Sequence, residues 1–571
     1  MRRLKDIFRG GVPAGALFLY AIVALALPNV ALCFTERMSL AAAVTNVLLP
    51  TAAVWWVMTL SRRPGKMVWL LFPLVFLAAF QLVLLYLFGG SVIAVDMFLN
   101  LVTTNPGEAF ELLDNLIPAV LGVVVVYVPL LVLAVISVSG KRRLSRDFTV
   151  RQRRYALAGV AAGLLSLGLT YASDKDYRAS LDLYPANVFY NLGLAIGRVN
   201  ATADYPSTSA GFTFRARPTH PADSREVYVL VIGETARACS FGLYGYGRDT
   251  TPSLSGEEGL VAFAKAVSQS NTTHKSVPML LSAVSAEDFD DIYRQKGIVT
   301  AFKEAGFHTV FVSNQLPNHS FIDFFGEEAD EWTFIKERDP RAAAVGDEAL
   351  LPEVAAVLAK GRKKELIVLH MYGSHFDYRE RYPRQAAFFR PDDASEAKPA
   401  NRTRLVNAYD NTIRFTDHIL DSLAHMLVRT GAQAAMLYTS DHGENIFDDS
   451  RGLFLHASPV PSYYELHVPF MVWLSPGYRS SFPAVESALR ANSGKRVATS
   501  VSAFHTMLTL AGIATPFARD SLSVASPRFR VTPCLYLDDH NEAVPTAKML
   551  RSEKDFERFR EAGISLSGPR D

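Results

Sequence analysis

Side chains able to ligate a cation stand directly behind short apolar runs at several places in the chain. VYVLVIG runs into Glu234, ELIVLHMYG contains His370 and is followed two residues on by His375, and AAMLYTS runs into the pair Asp441 and His442. A further histidine, His456, lies in LFLHASPVP. Singly, each has a plain explanation: a glutamate behind a strand starts a helix, an Asp-His pair opens a polar loop, and a lone histidine is hydrogen-bonded at a surface or in a core. If the strands are neighbours, Glu234, Asp441 and His442 converge on one small volume, and mixed oxygen and nitrogen donors of this kind suit zinc, with manganese second. A hydroxyl for such an ion to activate is at hand in SQSNTTHKSVPMLL, where Thr272 or Thr273 stands before an apolar run of helical character. A helix N-terminus offers unpaired amides to an anion, and the polarisation that lowers the pKa of metal-bound water from ~15.7 to ~7 acts on an alcohol in the same way. A helix-capping hydroxyl gives the same pattern, and the segment alone does not choose between the two threonines.

The elements that must position these groups follow from periodicity. EVYVLVIG (226–233), HTVFVSN (308–314), ELIVLHMYG (365–373), AAMLYTS (434–440) and VPFMVWLS (468–475) are nearly continuous apolar runs, as expected of strands covered on both faces. Helical patterns separate them, among them VTAFKEAGF (299–307) and a long one over 407–431 closed by Gly431. The alternation predicts an α/β domain with a largely parallel sheet and flanking helices, whose ligands bind beyond the carboxyl ends of the strands.

The chain has 571 residues, and its first part is of another kind. Five apolar segments, at roughly 11–34, 38–60, 67–89, 116–138 and 155–171, approach the ~20 residues that cross a ~30 Å hydrocarbon core. A cleaved signal peptide would account for the first alone; four more behind it make an anchored bundle. Basic residues favour the cytoplasmic side: Arg2, Arg3, Lys5 and Arg9 precede the first segment, Arg62, Arg63 and Lys66 lie between the second and third, and Lys141, Arg142, Arg143, Arg146, Arg151, Arg153 and Arg154 between the fourth and fifth. An odd number of spans with the N-terminus inside places everything after about residue 172 outside the cytoplasm. The expected organisation is a transmembrane domain over 1–172, a connector with interfacial helices over 173–225, and a catalytic domain over 226–571. The net charge of +2 says little about partners, because the basic excess sits in the inner loops, and no nucleic-acid partner is expected. Three cysteines are too few for a disulfide framework; a bridge between Cys239 and Cys534 is chemically permitted outside the cytoplasm and nothing in the sequence requires it.

The ordered set GETAR, YGYGRDTTP, NTTHKSVP, GSH, SDHGE and a later histidine resembles the phosphoethanolamine transferases of the alkaline phosphatase and sulfatase superfamily, and the resemblance runs over nearly the whole chain. It implies an inner-membrane enzyme with its sulfatase-like domain in the periplasm, moving phosphoethanolamine from phosphatidylethanolamine to lipopolysaccharide (lipid A or core) or a periplasmic glycan. It implies one zinc ion, or two, with manganese less favoured. Residue by residue, it makes Thr273 the nucleophile and a metal neighbour, Glu234, Asp441 and His442 the metal ligands, and His375 and His456 the residues attending the phosphate or a second zinc. It also points to Asn100, Thr104 and Glu108, which recur at every fourth position and would share a helix face, as a trio near the donor headgroup; Pro106 between the last two is able to break that helix. Lipid A-modifying members carry disulfides near the nucleophile, which this chain lacks. A phosphoglycerol transferase or membrane-anchored sulfatase or phosphatase is the alternative from the same superfamily, and a non-catalytic envelope sensor or glycan-binding protein the alternative from another class.

Overall fold

Apolar runs of about twenty residues can satisfy their backbone in lipid only as helices. The computed structural model describes residues 13–103, 106–338, 346–394 and 396–567, with the side chains of 101–116 left aside. It divides into two compact units, one drawn from residues up to 102 and from 112–198, the other from Thr103–Glu111 and from residue 199 onward.

The first unit is helical. In chain order it has α1 (Ala14–Thr35), α2 (Leu40–Met58), α3 (Pro64–Leu70), α4 (Phe72–Phe88), α5 (Val95–Thr103), α6 (Pro106–Ser139), α7 (Arg146–Ser173) and α8 (Ala186–Ala203). Among the described residues α1, α2, the Ile117–Ser139 part of α6, and α7 are each long and apolar enough to cross a membrane. The third expected span is the pair α3 and α4, which meet at 64°, so the count is four, or five with the pair taken as one. The bend has a local cause: Leu71 leaves the helical region at ψ 8°, and Pro73 has no amide hydrogen to give the preceding turn.

Without a hydrophobic force between helices in lipid, small residues and interhelical hydrogen bonds hold them. Gly159 and Gly163 put the backbones of α7 and α2 together: a Cβ on Gly163 would lie 2.8 Å from Leu49 Cα. Beside this contact the Thr45 hydroxyl is 2.7 Å from that of Ser166 and 3.0 Å from that of Thr170. Asn29 of α1 donates to Asn46 O of α2 at 2.7 Å.

The second unit is built on a seven-stranded sheet. In chain order its strands are β1 (Glu226–Gly233), β2 (Leu260–Ala262), β3 (His308–Ser313), β4 (Glu331–Phe334), β5 (Lys364–His370), β6 (Gln433–Ser440) and β7 (Phe470–Leu474); their spatial order is β2-β7-β6-β1-β5-β3-β4. The five strands from β6 to β4 are parallel, and β7 and β2 run antiparallel to their neighbours at one edge. β1 is buried along its whole length, because helices and long connections cover both faces. Two helices matter for the site: α9 (Thr273–Leu280) and α10 (Arg402–Arg429), whose long buried stripe includes Tyr409, Ile413, Leu420 and Leu427.

Candidate active site

Register brings the ligand-bearing strand ends together. Ile232 lies opposite His370 and Gly233 opposite Ser440, and the Asp441 amide donates to Gly233 O at 3.1 Å. Glu234 and Asp441 therefore leave adjacent strands at the same level. The turn after β5 closes against them at Gly373, which has φ +56° and whose added Cβ would lie 2.5 Å from Glu234 O, so this position takes glycine. Asp347 fixes the turn by accepting from the amides of Tyr372 and Gly373, at 2.8 Å each.

α9 starts at Thr273, whose Oγ1 is 3.1 Å from His442 Nε2 and 3.3 Å from both Glu234 carboxylate oxygens. The hydroxyl of Thr272 lies instead 3.1 Å from that of Ser270. His442 Nδ1 sits 3.0 Å from Gly443 O, which turns Nε2 toward the acids. Glu234, His442 and His456 form a group whose ligand atoms all lie within 4.8 Å of one another. The rings of His442 and His456 are 4.1 Å apart, and His456 Nδ1 is 3.4 Å from a Glu444 oxygen. Asp441 stands at the group's edge, with Oδ2 3.1 Å from His442 Nε2 and Oδ1 accepting from the amides of Thr235 and His442. His375 lies further out, its ring 5.8 Å from that of His456, with Nδ1 2.7 Å from Phe376 O. Glu234, Asp441 and His442 are buried, while Thr273, His375 and His456 are half-buried and form the open side.

This donor set fits a cation. Glu444 Oε2 is buried with no hydrogen-bond partner and Asp441 Oδ2 is met only by the His442 ring, an arrangement that costs stability unless a positive charge faces it. Burial and the neighbouring Asp441 carboxylate push Glu234 up, and burial together with Glu234 pushes Glu444 well up. Burial would lower His442, but Asp441 and Glu234 outweigh it and raise the imidazole. Burial and His442 hold His456 down at about 3, so its lone pair is available. Carboxylate oxygens and imidazole nitrogens at this spacing are a zinc-type set, and the described residues offer one such group.

Several supporting residues carry no signal in the sequence. Gln315, just past β3, donates to Met371 O at 2.9 Å and to Glu234 at 3.3 Å. Tyr409, in the middle of α10, donates to Thr235 O at 2.7 Å and accepts from the Arg237 amide at 2.9 Å. The Arg237 guanidinium is buried between the Tyr409 and Tyr464 rings and paired with Asp448 at 2.8 Å. Arg237 and Glu444 lie inside GETAR and SDHGE, so adjacency to the ligands was their only signal. Asn100 is half-buried in α5. Thr104 lies outside the described residues, as does the side chain of Glu108; α5 ends at Thr103 and α6 begins at Pro106.

The profile of the sulfatase family matches residues 226–513, half of the chain, and spans all seven strands of the main sheet. The chain belongs to the sulfatase family. Beyond that domain, it is 26% identical over 529 residues to phosphoethanolamine transferase EptA of Salmonella typhimurium, covering 88% of this chain and 91% of that protein. It is 30% identical over 308 residues to the Kdo(2)-lipid A phosphoethanolamine 7''-transferase of Escherichia coli, about half of each chain. Among solved structures, the integral membrane lipooligosaccharide phosphoethanolamine transferase A of Neisseria meningitidis has the same fold over 90% of this chain and 98% of its own, with a TM-score of 0.71 at 22% identity. The likeness thus extends through the helical unit as well as the sulfatase domain.

Proposed function

We propose that this protein is an integral inner-membrane phosphoethanolamine transferase, with residues 1–172 in the membrane, 173–225 as connector and 226–571 as a periplasmic catalytic domain. Its donor is phosphatidylethanolamine and its acceptor lipopolysaccharide, at lipid A or core, or a periplasmic glycan. The observation that carries the chemistry is the Thr273 hydroxyl, held 3.1 Å from His442 Nε2 and 3.3 Å from the Glu234 carboxylate at the open side of a buried acid and imidazole cluster.

Glu234, His442 and His456, with Asp441 beside them, are the residues to hold zinc. When bound there, the ion supplies Lewis-acid activation and neutralises charge developing on oxygen. Thr273 Oγ1, at the start of α9, is the nucleophile: a bond forms from it to the donor phosphorus, the bond from phosphorus to the diacylglycerol oxygen breaks, and diacylglycerol leaves. Glu234, with both carboxylate oxygens 3.3 Å away, keeps one oxygen within reach of the hydroxyl proton when the other holds the ion, and that proton passes to the departing diacylglycerol oxygen. The acceptor oxygen then attacks the phosphoethanolaminyl-threonine and restores the free hydroxyl. His375 flanks the phosphate with its ring fixed through Nδ1 by Phe376 O; burial keeps it neutral, so its Nε2 is placed to take the proton of the acceptor hydroxyl, while His456, fixed by Glu444, stays with the zinc set.

The test is incubation with fluorescent phosphatidylethanolamine. Thr273→Ala should abolish diacylglycerol release, a fall of about 10⁴-fold or more, and remove a phosphoethanolamine mass increment from the peptide containing residue 273. Release from phosphatidylglycerol instead would make the enzyme a phosphoglycerol transferase. Full activity in Thr273→Ala would overturn the mechanism.

A further inference from the structure

One site in the helical unit lies apart from the catalytic chemistry. Arg63, Gly65 and Lys66 from the start of α3 and Ser137, Val138, Lys141 and Arg142 from the end of α6 line a single pocket of about 20 Å³, room for one water-sized atom. The segments that flank it, 61–66 and 140–154, carry ten basic residues and one acidic residue, Asp147. Among the described residues no carboxylate lies within ion-pair distance of Arg63, Lys66 or Lys141. Nor are those cations used to finish the helix. The last carbonyls of α6, at Ile136, Val138 and Ser137, accept from the amides of Gly140, Lys141 and Arg142. Two nearby arginines are committed elsewhere: Arg62 donates to Leu144 O and Arg153 to Thr59 O.

One further feature marks a built site rather than a loose collection of charge. Ser137 is 7% exposed and its Oγ has no hydrogen-bond partner, although it lines the pocket. A buried hydroxyl of this kind costs stability unless a ligand completes it. Cations together with a hydroxyl donor at the end of a membrane helix match an anionic phosphodiester, which takes charge-assisted hydrogen bonds on its non-bridging oxygens.

We propose that this pocket takes one non-bridging oxygen of the phosphodiester of an anionic membrane phospholipid of the cytoplasmic leaflet, at Arg63 and Ser137, with the exposed Lys66 and Lys141 closing on the rest of the group; the leaflet rests on the membrane topology given under Proposed function. The positive-inside bias requires only that the charges stay in the cytoplasm. It accounts for neither the shared pocket nor the unpartnered hydroxyl.

The test uses the full-length protein taken from nanodiscs of phosphatidylethanolamine and phosphatidylglycerol into native mass spectrometry, with retained lipid counted. Wild type should retain phosphatidylglycerol over phosphatidylethanolamine. The double variant Lys66→Gln/Lys141→Gln should weaken that retention about thirtyfold. Ser137→Ala, which changes no charge and leaves insertion alone, should weaken it about fivefold. The charge-matched control Arg151→Gln/Arg154→Gln should retain the lipid. Equal loss in the control would show a diffuse field and overturn the site, as would the absence of a phosphatidylglycerol preference. Inorganic phosphate stabilising the lipid-free protein as strongly as phosphatidylglycerol would also overturn it, in favour of a free-anion site. Diacylglycerol release measured on the same samples reports on the catalytic reading independently: transfer without lipid preference sinks only the pocket, and lipid preference without transfer sinks only the catalytic assignment.

Discussion

Tyr409→Phe removes one oxygen and tests how the ligand loop is held. The hydroxyl donates to Thr235 O and accepts from the Arg237 amide, and between these contacts Thr235 sits at φ +62°, a conformation a β-branched residue rarely adopts. Thr235 is the link between the two acids: its amide donates to Asp441 at 3.1 Å and its hydroxyl to Glu234 at 2.7 Å. Removal of the phenol leaves a buried amide and a buried carbonyl unpaired, each costing about 1–3 kcal/mol; with partial relaxation the fold should lose about 2–4 kcal/mol. The same release lets Glu234 and Asp441 drift, and loss of an outer contact of this kind lowers metal affinity about 10- to 100-fold. The ring remains, so its packing with the Arg237 guanidinium, 5.2 Å away, should persist. The assay is a zinc competition titration against a chromophoric chelator on the purified full-length protein, with circular dichroism to establish the fold. A variant that loses thermal stability but binds zinc within about twofold of wild type would refute the reasoning, because Tyr409 would then serve packing alone.

Chelation should destabilise the wild-type protein, and zinc at about 100 times its Kd should restore about 2.7 kcal/mol, read as an upward shift in Tm that magnesium does not reproduce; an unchanged Tm on chelation would speak against a resident cation. Gly163→Leu should separate α7 from α2, where even a Cβ meets Leu49 at 2.8 Å, costing about 1–3 kcal/mol and lowering Tm in detergent; a neutral result would mean that the helices do not pack here. Burial works against Glu226, but hydrogen bonds from His220, Tyr228 and Ser224 outweigh it and bring the carboxyl down to about 2. The folded-state pKa is depressed, so its stabilisation is complete above the ordinary value of 4.5 and disappears as the pH falls toward 2. Glu226→Gln should therefore lose on the order of 2 kcal/mol at neutral pH, and the gap to wild type in thermal unfolding should narrow below about pH 4; a gap independent of pH would contradict it.

Much of this protein is legible from one chain because its physics is local. Strands buried on both faces are written as unbroken apolar runs, so β1, β3, β5, β6 and β7 stand out, and membrane helices are written as length and hydropathy. β2 and β4, three and four residues long, are too short to show a period, and the bend between α3 and α4 turns on a single proline in an otherwise uniform stretch. The residue types at the strand ends named a cation and its donors before any geometry was available. The sequence by itself therefore determined the layers, the spans and the chemical character of the site. The tertiary structure alone decided which atoms meet: that His456 joins Glu234 and His442, that the Thr273 hydroxyl faces them while that of Thr272 faces Ser270, and that Tyr409, 174 positions from Thr235, holds the loop in place. Such contacts depend on register between strands and on the path of a helix across a sheet. Those are set by the packing of the whole domain, and no spacing along the chain records them.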